Sequence, residues 1–321
     1  MKTLFNLTTD AHDLCRYKNS QELSSDLLGF DGLELMCYER DIQGIILPKQ
    51  VTGIHMSFFP YWLDFWLGDE NALMKEFGNH ANWETYYGGS NRSALLSRFH
   101  KDLEYAKQYG AEYVVFHVSD CATQEVYTRE FKHSHAEVVD ATCGLLNQLF
   151  KDIKDGPALL LENLWYPGFD FIDPSVTRRL LEGIDYKNKG IMLDTGHLFH
   201  TNSDIRTQEE GLRYINKQLD LHGDLTKYIR GVHLNQSITG EYERRIVCNP
   251  PTPQSTYAKR QWQLLEHVLQ VDLHQPFTCD GVADLVERIA PDYLVYEFIS
   301  QNRQEHLSYL KQQTDALKKK G

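Results

Sequence analysis

The chain has 321 residues, 41% hydrophobic and 24% charged, with a formal net charge of −12 at pH 7. That length and apolar content suffice for one large core, and an acidic surface disfavours broad binding to the phosphate backbone of nucleic acids. No apolar run approaches the ~20 residues of a membrane span, and the N-terminus MKTLFNLTTD lacks the sustained hydrophobic segment of a secretory signal. The six Cys are scattered with no C-x-x-C pair, which reads as reduced thiols in a cytoplasmic protein.

Apolar runs alternate with amphipathic stretches from end to end. Residues 4–7 read as a first strand, 21–28 as a helix, and 32–36 and 53–58 as the second and third strands. Over 91–109, Leu95, Leu96, Phe99, Leu103 and Ala106 fall at helical spacing. A strand at 113–117, a helix over 135–153 and a strand at 158–162 follow, and Asp173-Pro174 opens the next helix in the favoured cap-then-proline order. A strand at 190–194, a helix over 208–219, strands at 229–233 and 293–297 with a helix over 282–289 between them, and a polar helix running to a Lys-rich end complete the series. Strands alternating with helices form a parallel sheet. A count near eight predicts an α/β fold closed as a (β/α)8 TIM barrel, one domain over 1–321.

Two stretches break the repeat. Residues 60–90 are rich in aromatics (Tyr61, Trp62, Phe65, Trp66, Phe77, Trp83, Tyr86, Tyr87), and 237–280 contain Asn249-Pro250-Pro251-Thr252-Pro253 and a helical piece around 262–269. Long loops on the C-terminal face of a barrel shape substrate access. The aromatics suit either a satellite hydrophobic cluster or subunit contact, or a cover over the substrate.

Nine side chains able to ligate a metal stand at or near the ends of successive short apolar runs: His55, His117, Glu162, Asp194, His197, His233, Asp272, His274 and Glu297. A buried strand wants aliphatic residues, and a charged residue at its end must leave the core. A closed parallel barrel puts all such ends on one face, where imidazoles and carboxylates form a site of zinc or manganese character. In Gly190-Ile-Met-Leu-Asp194-Thr-Gly-His197 a strand delivers Asp194, and His197 reaches the same centre across a tight turn. The same spacing also suits an N-cap Asp followed by an unrelated His. Gly231-Val-His233-Leu-Asn235-Gln-Ser237 sets another imidazole at a strand end, with Asn235 and Ser237 as supporting donors. Glu162 and Glu297 follow the runs ALLL and YLVY, and a buried carboxylate is costly unless paired or metal-bound.

These motifs resemble those of the xylose isomerase-like TIM-barrel superfamily, also called AP endonuclease family 2, which contains endonuclease IV and the sugar phosphate isomerases and epimerases. The resemblance covers nearly the whole chain. Asp194-Thr195-Gly196-His197-Leu198-Phe199 is similar to the Asp-Thr-x-His-x-Phe motif of endonuclease IV. His233-Leu234-Asn235-Gln236-Ser237 is similar to its His-Leu-Asn-Asp-Ser motif, with Gln236 in place of Asp, and Glu162-Asn163 to its Glu-Asn. Likeness to endonuclease IV implies three zinc ions on the nine residues, with His55 and His117 serving one outer ion and Asp272 with His274 another. Likeness to the isomerases and epimerases implies one divalent ion, zinc or manganese, on Glu162, Asp194, His233 and Glu297, with His197 on the substrate side. The chain departs from endonuclease IV in three places. The stretch 237–280 separates the His-Leu-Asn segment from Asp272-Leu-His274, the His-Pro-Gly-Ser motif reads His117-Val-Ser-Asp120, and the basic, base-inserting loop of DNA repair is missing.

Two chemistries follow from the resemblance. A multinuclear site suits hydrolysis of a small or capped phosphoester rather than genomic DNA, because divalent ions acidify water and neutralise charge on phosphorus. Glu162 and Asp194 would bridge ions, and Arg244, Arg245, Lys259, Arg260 and Arg303 are either phosphate contacts or solvated surface charge. Some relatives of endonuclease IV cleave cofactor phosphodiesters, and an aromatic rim suits a bulky organic ligand. The alternative is a sugar or sugar-phosphate isomerase or epimerase in which Glu162 and Glu297 exchange a proton, while His55, His117, Asp272 and His274 line the pocket and 60–90 cover the sugar. A third reading is a non-catalytic ligand-binding barrel, whose mark would be lost ligands. Catalytic roles fall to Glu162, Asp194, Glu297 and His197. The expected partner is a small-molecule sugar or phosphoester, with neither membrane nor nucleic acid, and the reading is compatible with a homo-oligomer.

Overall fold

The computed structural model describes residues 1–38, 41 and 44–318, so the last of the Lys-rich end lies outside the described residues. Eight strands run parallel and close into a barrel in sequence order: β1 Lys2–Thr8, β2 Gly32–Met36, β3 Val51–His55, β4 Tyr113–His117, β5 Ala158–Glu162, β6 Lys189–Asp194, β7 Ile229–Leu234 and β8 Tyr293–Tyr296. β1 pairs with both β2 and β8, which removes the edges of the sheet. Helices Ser20–Asp26, Ser93–Tyr109, His135–Leu149, Pro174–Gly183, Gln208–His222 and Val282–Ile289 follow successive strands. Asp173 caps its helix as expected, accepting from Ser175 N at 2.8 Å ahead of Pro174. Among the described residues no helix is long and apolar enough to cross a membrane.

The third strand differs from the expected 53–58. It starts at Val51 and stops at His55. Beyond it, Ser57 N donates to Asp102 Oδ2 at 2.9 Å, which draws the chain out of the ladder and leaves Phe58 43% exposed at the barrel mouth. The aromatic stretch also resolves. It forms three short helices, Leu63–Leu67, Glu70–Phe77 and His80–Tyr87. Tyr61, Phe65, Phe77, Trp83 and Tyr87 are buried in the main core, with Phe65 stacked on Tyr87 at 3.8 Å between centroids. Most of these rings therefore build a packed layer, and of the eight only Trp62 lines the cavity beside the ligand cluster.

Strand side chains alternate between two sides. One set packs outward against the helices, and the other fills the barrel interior: Leu4, Tyr113, Val115, Ala158, Leu160, Met192, Tyr293 and Val295. Two inward positions are glycine for lack of room. A Cβ at Gly53 would lie 2.1 Å from the Tyr113 ring, and one at Gly231 would lie 2.5 Å from Met192 Sδ. The space left by Gly53 lets Tyr113 OH donate to Glu34 Oε2 at 2.7 Å.

Gly53→Ala is expected to destabilise the fold by about 1–3 kcal/mol through overpacking, read as a lower urea midpoint at unchanged slope; a midpoint equal to the parent's would show that the barrel interior yields around Tyr113. A second expectation concerns His306, buried against Phe5 with Nε2 unpartnered. Burial, helped by Arg16, pushes its imidazole down to about 4. The unfolded imidazole, near 6.5, then binds the proton more readily, so the stability contributed by neutral His306 is lost as pH falls from about 6.5 to about 4. His306→Leu should remove up to about 3 kcal/mol of this acid sensitivity. Identical pH dependence of unfolding in the two proteins would contradict it.

Candidate metal centre

The ligand cluster follows from the same alternation that fills the barrel. Two residues beyond the last inward core position of four strands lies a polar one: Val115 leads to His117, Leu160 to Glu162, Met192 to Asp194 and Val295 to Glu297. The two inward glycines, Gly53 and Gly231, lead to His55 and His233. Parallel strands bring all six to the C-terminal mouth.

Their ligand atoms fall into three sets, in each of which one atom per residue lies within 4.8 Å of the others: His55, His117 and Glu162; Glu162, Asp194, His233 and Glu297; and Asp194, His197 and His274. Glu162 and Asp194 each belong to two sets, so two carboxylates link all three. Asp272 joins the third set, its Oδ2 lying 2.7 Å from His274 Nε2 and 3.3 Å from His197 Nε2. Glu162 Oε2 is 2.9 Å from His117 Nε2 and 3.1 Å from His55 Nε2, while its Oε1 is 3.0 Å from His233 Nδ1. All nine residues singled out in the sequence thus meet around one centre.

Asp272 and His274 reach it by a different route from the one expected. They do not end a strand. Asp272 caps the C-terminus of the helix Tyr257–Val271, and His274 stands in the following loop with φ +44°, a conformation L-residues rarely adopt. Backbone bonds of 2.8 and 3.0 Å between Gln236 and Gln275 fasten this loop to the end of β7, which lets the stretch 237–280 leave the barrel and return its two ligands. Asp194 plays both roles that its sequence allowed: it sits in two ligand sets, and its Oδ1 accepts from His197 N at 2.6 Å to cap the helix Thr195–Phe199.

Backbone carbonyls orient three of the rings. His55 Nδ1 donates to Met56 O at 2.9 Å, His197 Nδ1 to Asn163 O at 2.9 Å and His274 Nδ1 to Glu297 O at 3.3 Å. A carbonyl only accepts, so each Nδ1 carries the hydrogen and Nε2 is the free donor to a cation. His233 is turned the other way. Its Nε2 lies 2.9 Å from Glu34 Oε1, a charge contact out of line for a hydrogen bond, and its Nδ1 faces Glu162 and Glu297. Asn235 Nδ2 donates to Asp194 Oδ2 at 2.7 Å. Asn163 brackets the Asp194 backbone with two bonds. Ser237 Oγ donates to Asp272 Oδ1 at 3.3 Å, the supporting role expected of it.

The electrostatics show how much charge is confined here. Burial opposes ionisation of Glu162, yet His117 and His233 hold its carboxyl well below the usual range. Burial likewise opposes charge on His197 and His233, but Asp194 and Asp272 in one case and Glu297, Glu34 and Glu162 in the other hold the imidazoles well above the usual value. Against burial, Asp272 raises His274 to about 9. Burial raises the Glu297 carboxyl to about 7 and lowers His117 to about 4. Four carboxylates and five imidazoles with their nitrogens directed at oxygens suit divalent cations, which would compete with protons for the same nitrogens.

Several residues around the centre were not singled out in the sequence. Glu34 interrupts the apolar run of β2, and that interruption was its visible signal. His200 Nδ1 lies 2.8 Å from Glu243 Oε1 and its Nε2 3.5 Å from Asp272 Oδ1, while Arg129 holds the other oxygen of Glu243. No motif announced that chain of contacts, because Arg129 and Glu243 are brought together only by folding. The proposed phosphate contacts do not gather here. Arg303 pairs with Asp26 and Glu22, Arg260 donates to Glu76 O, Arg245 lies over the Tyr242 ring, and Lys259 is exposed. Arg244 bonds Ser203 O and lines a separate cavity with Arg129 and His200. Each guanidinium has found a partner nearer to it than the ligand cluster.

Glu34→Ala is expected to weaken cation binding at the centre about 10–100-fold, because it removes the carboxylate behind His233. Competition with a chromogenic chelator measures this, and an unchanged dissociation constant would place Glu34 outside the control of the centre.

The model of the xylose isomerase-like TIM barrel family matches residues 25–290. Among solved structures, the chain is similar to 3-keto-D-glucoside 4-epimerase, YcjR, from E. coli, at 14% identity over 98% of this chain and 99% of that one, with a TM-score of 0.50. It is similar to the IOLI protein with a binding zinc atom at 16% identity, 99% and 98% coverage and a TM-score of 0.47. AP endonuclease, family 2 from Brucella melitensis matches at 14% identity, 97% of each chain and a TM-score of 0.45. Identities this low speak for the fold alone. Comparison with curated proteins gave no significant match. With the family model spanning most of the barrel, the chain belongs to the xylose isomerase-like TIM barrel family.

Proposed function

We propose that this protein is a metal-dependent phosphoesterase with a trinuclear centre, of zinc or alternatively manganese, acting on a small or capped phosphoester. The observation that carries this reading is the linkage of three ligand sets through Glu162 and Asp194. An isomerase or epimerase working through one ion needs the central set, Glu162, Asp194, His233 and Glu297. It would leave His55 and His117 on one side, and His197, Asp272 and His274 on the other, to line the pocket rather than hold ions.

Divalent ions at such a centre would acidify water and neutralise charge on a phosphoryl group. The chain's own residues supply the arrangement. Glu162 and Asp194 fix the spacing between neighbouring sets. The imidazoles of His55, His197 and His274 turn Nε2 toward the carboxylates, where a cation would sit, because carbonyls hold the opposite hydrogen. His197 and Asp272 also line the cavity where a substrate would enter, and Glu297 closes the central set against His233 at 3.2 Å. The strongly acidic chain and a cavity wall that holds neither Lys nor Arg among the described residues favour a small molecule over a polynucleotide.

Metal analysis after metal-replete purification should find about three equivalents of zinc or manganese per chain, together with turnover of bis(p-nitrophenyl) phosphate. Asp272→Ala combined with His274→Ala should lose one ion and most of that turnover while circular dichroism stays that of the parent. About one equivalent in the parent, or unchanged metal content in the double variant, would favour the single-ion isomerase instead. No metal at all would leave a ligand-binding barrel.

A further inference from the structure

The ligand cluster opens onto a partly enclosed cavity at the barrel mouth. His117, His197 and Asp272 contribute to its wall. Most of the remaining wall is apolar, including Phe58, Trp62, Val126, Trp165, Leu264 and Val268. Two of these rings lie against ligand imidazoles: Phe58 is 4.7 Å from His117 between centroids, and Trp165 is 5.1 Å from His197. Trp62 is fixed in place, its Nε1 donating to Ser119 O at 2.8 Å and its backbone N to Asp120 Oδ1 at 2.7 Å. Trp165 is buried beside Tyr166, the two rings 4.9 Å apart between centroids.

This wall suits one kind of occupant. A polynucleotide is held through successive phosphates by Lys, Arg and backbone donors, and among the described residues neither Lys nor Arg lines the cavity. Aromatic walls instead stack a flat ring. The geometry points to a substrate that is a phosphoester of a planar aromatic group, one or two fused rings in size, lodged between Phe58, Trp62 and Trp165 with its phosphate on the ligand cluster. This inference rests on the phosphoesterase reading of that cluster. Hydrolysis would form a P–O bond to the oxygen of water and break the ester P–O bond. The released hydroxy compound would take one water proton, and the other would go to solvent.

The test is calorimetric binding to the metal-loaded protein of two inert probes, (1-naphthylmethyl)phosphonate and methylphosphonate. The naphthyl compound should bind at least tenfold more tightly. Leu264→Trp, on the half-buried face of the helix Tyr257–Val271, should fill the cavity and remove most of that preference at unchanged metal content; Val268→Phe serves the same end should Leu264→Trp fail to fold. Equal affinity for the two probes, or a preference untouched by a folded cavity-filling variant, would overturn the assignment. Turnover of bis(p-nitrophenyl) phosphate is followed in parallel. Naphthyl preference without turnover would uphold the aromatic site and remove the phosphoesterase reading, whereas turnover without preference would do the reverse.

Discussion

Four carboxylates and five imidazoles share the mouth of this barrel with little access to water, and the balance of charge among them constrains everything built around it. Removed from water singly, each carboxylate would be strongly destabilised. Together they pair with imidazoles at distances from 2.7 to 3.8 Å, and the pairing drags the two kinds of group in opposite directions: Glu162 and Asp272 down, His197, His233 and His274 up. Protons on the imidazoles supply positive charge that divalent ions would supply better, since one ion can serve several carboxylates at once.

The cluster is tied to the core beneath it by one line of contacts. Gly53 leaves room for Tyr113, Tyr113 donates to Glu34, and Glu34 faces the nitrogen of His233 turned away from the ligand set. Packing in the barrel interior thereby reaches the orientation of a ligand. A second device is Gly196, where a Cβ would fall 1.9 Å from Asn235 Oδ1. Its bare backbone lets Asn235 approach and hold Asp194 Oδ2. Elements of this kind, close-packed and hydrogen-bonded, keep ligands in place before any ligand arrives.

The two long insertions divide the remaining work. Residues 237–280 leave the barrel, build the helices Gly240–Cys248 and Tyr257–Val271, and return Asp272 and His274 to the centre with Leu264 and Val268 on the cavity wall. The positive φ of His274 is tolerated because its ring is fixed on both sides, by Asp272 and by the Glu297 carbonyl. Residues 60–90 mainly thicken the core and bring buried Trp62 to the cavity wall.

Some of this was legible in the sequence for a simple reason. A strand buried in a parallel barrel must be a short aliphatic run, and the polar residue that ends it must stand at the mouth, so ALLLE and GIMLD announce both a strand and a ligand. That logic located eight strands, the barrel, and seven of the nine candidate ligands at or just beyond strand ends. It misjudged VDLH, because a short apolar run in a helix C-terminus and one in a strand look alike. It also could not separate packed aromatics from exposed ones, since side-chain burial over 60–90 depends on which neighbours arrive from elsewhere. The sharing of Glu162 and Asp194 between ligand sets, the contacts from Arg129 through Glu243 and His200 to Asp272, and the dispersal of the surface arginines to other partners were decided by tertiary structure alone. Each depends on distances between residues far apart in the chain, and a linear sequence carries no record of them.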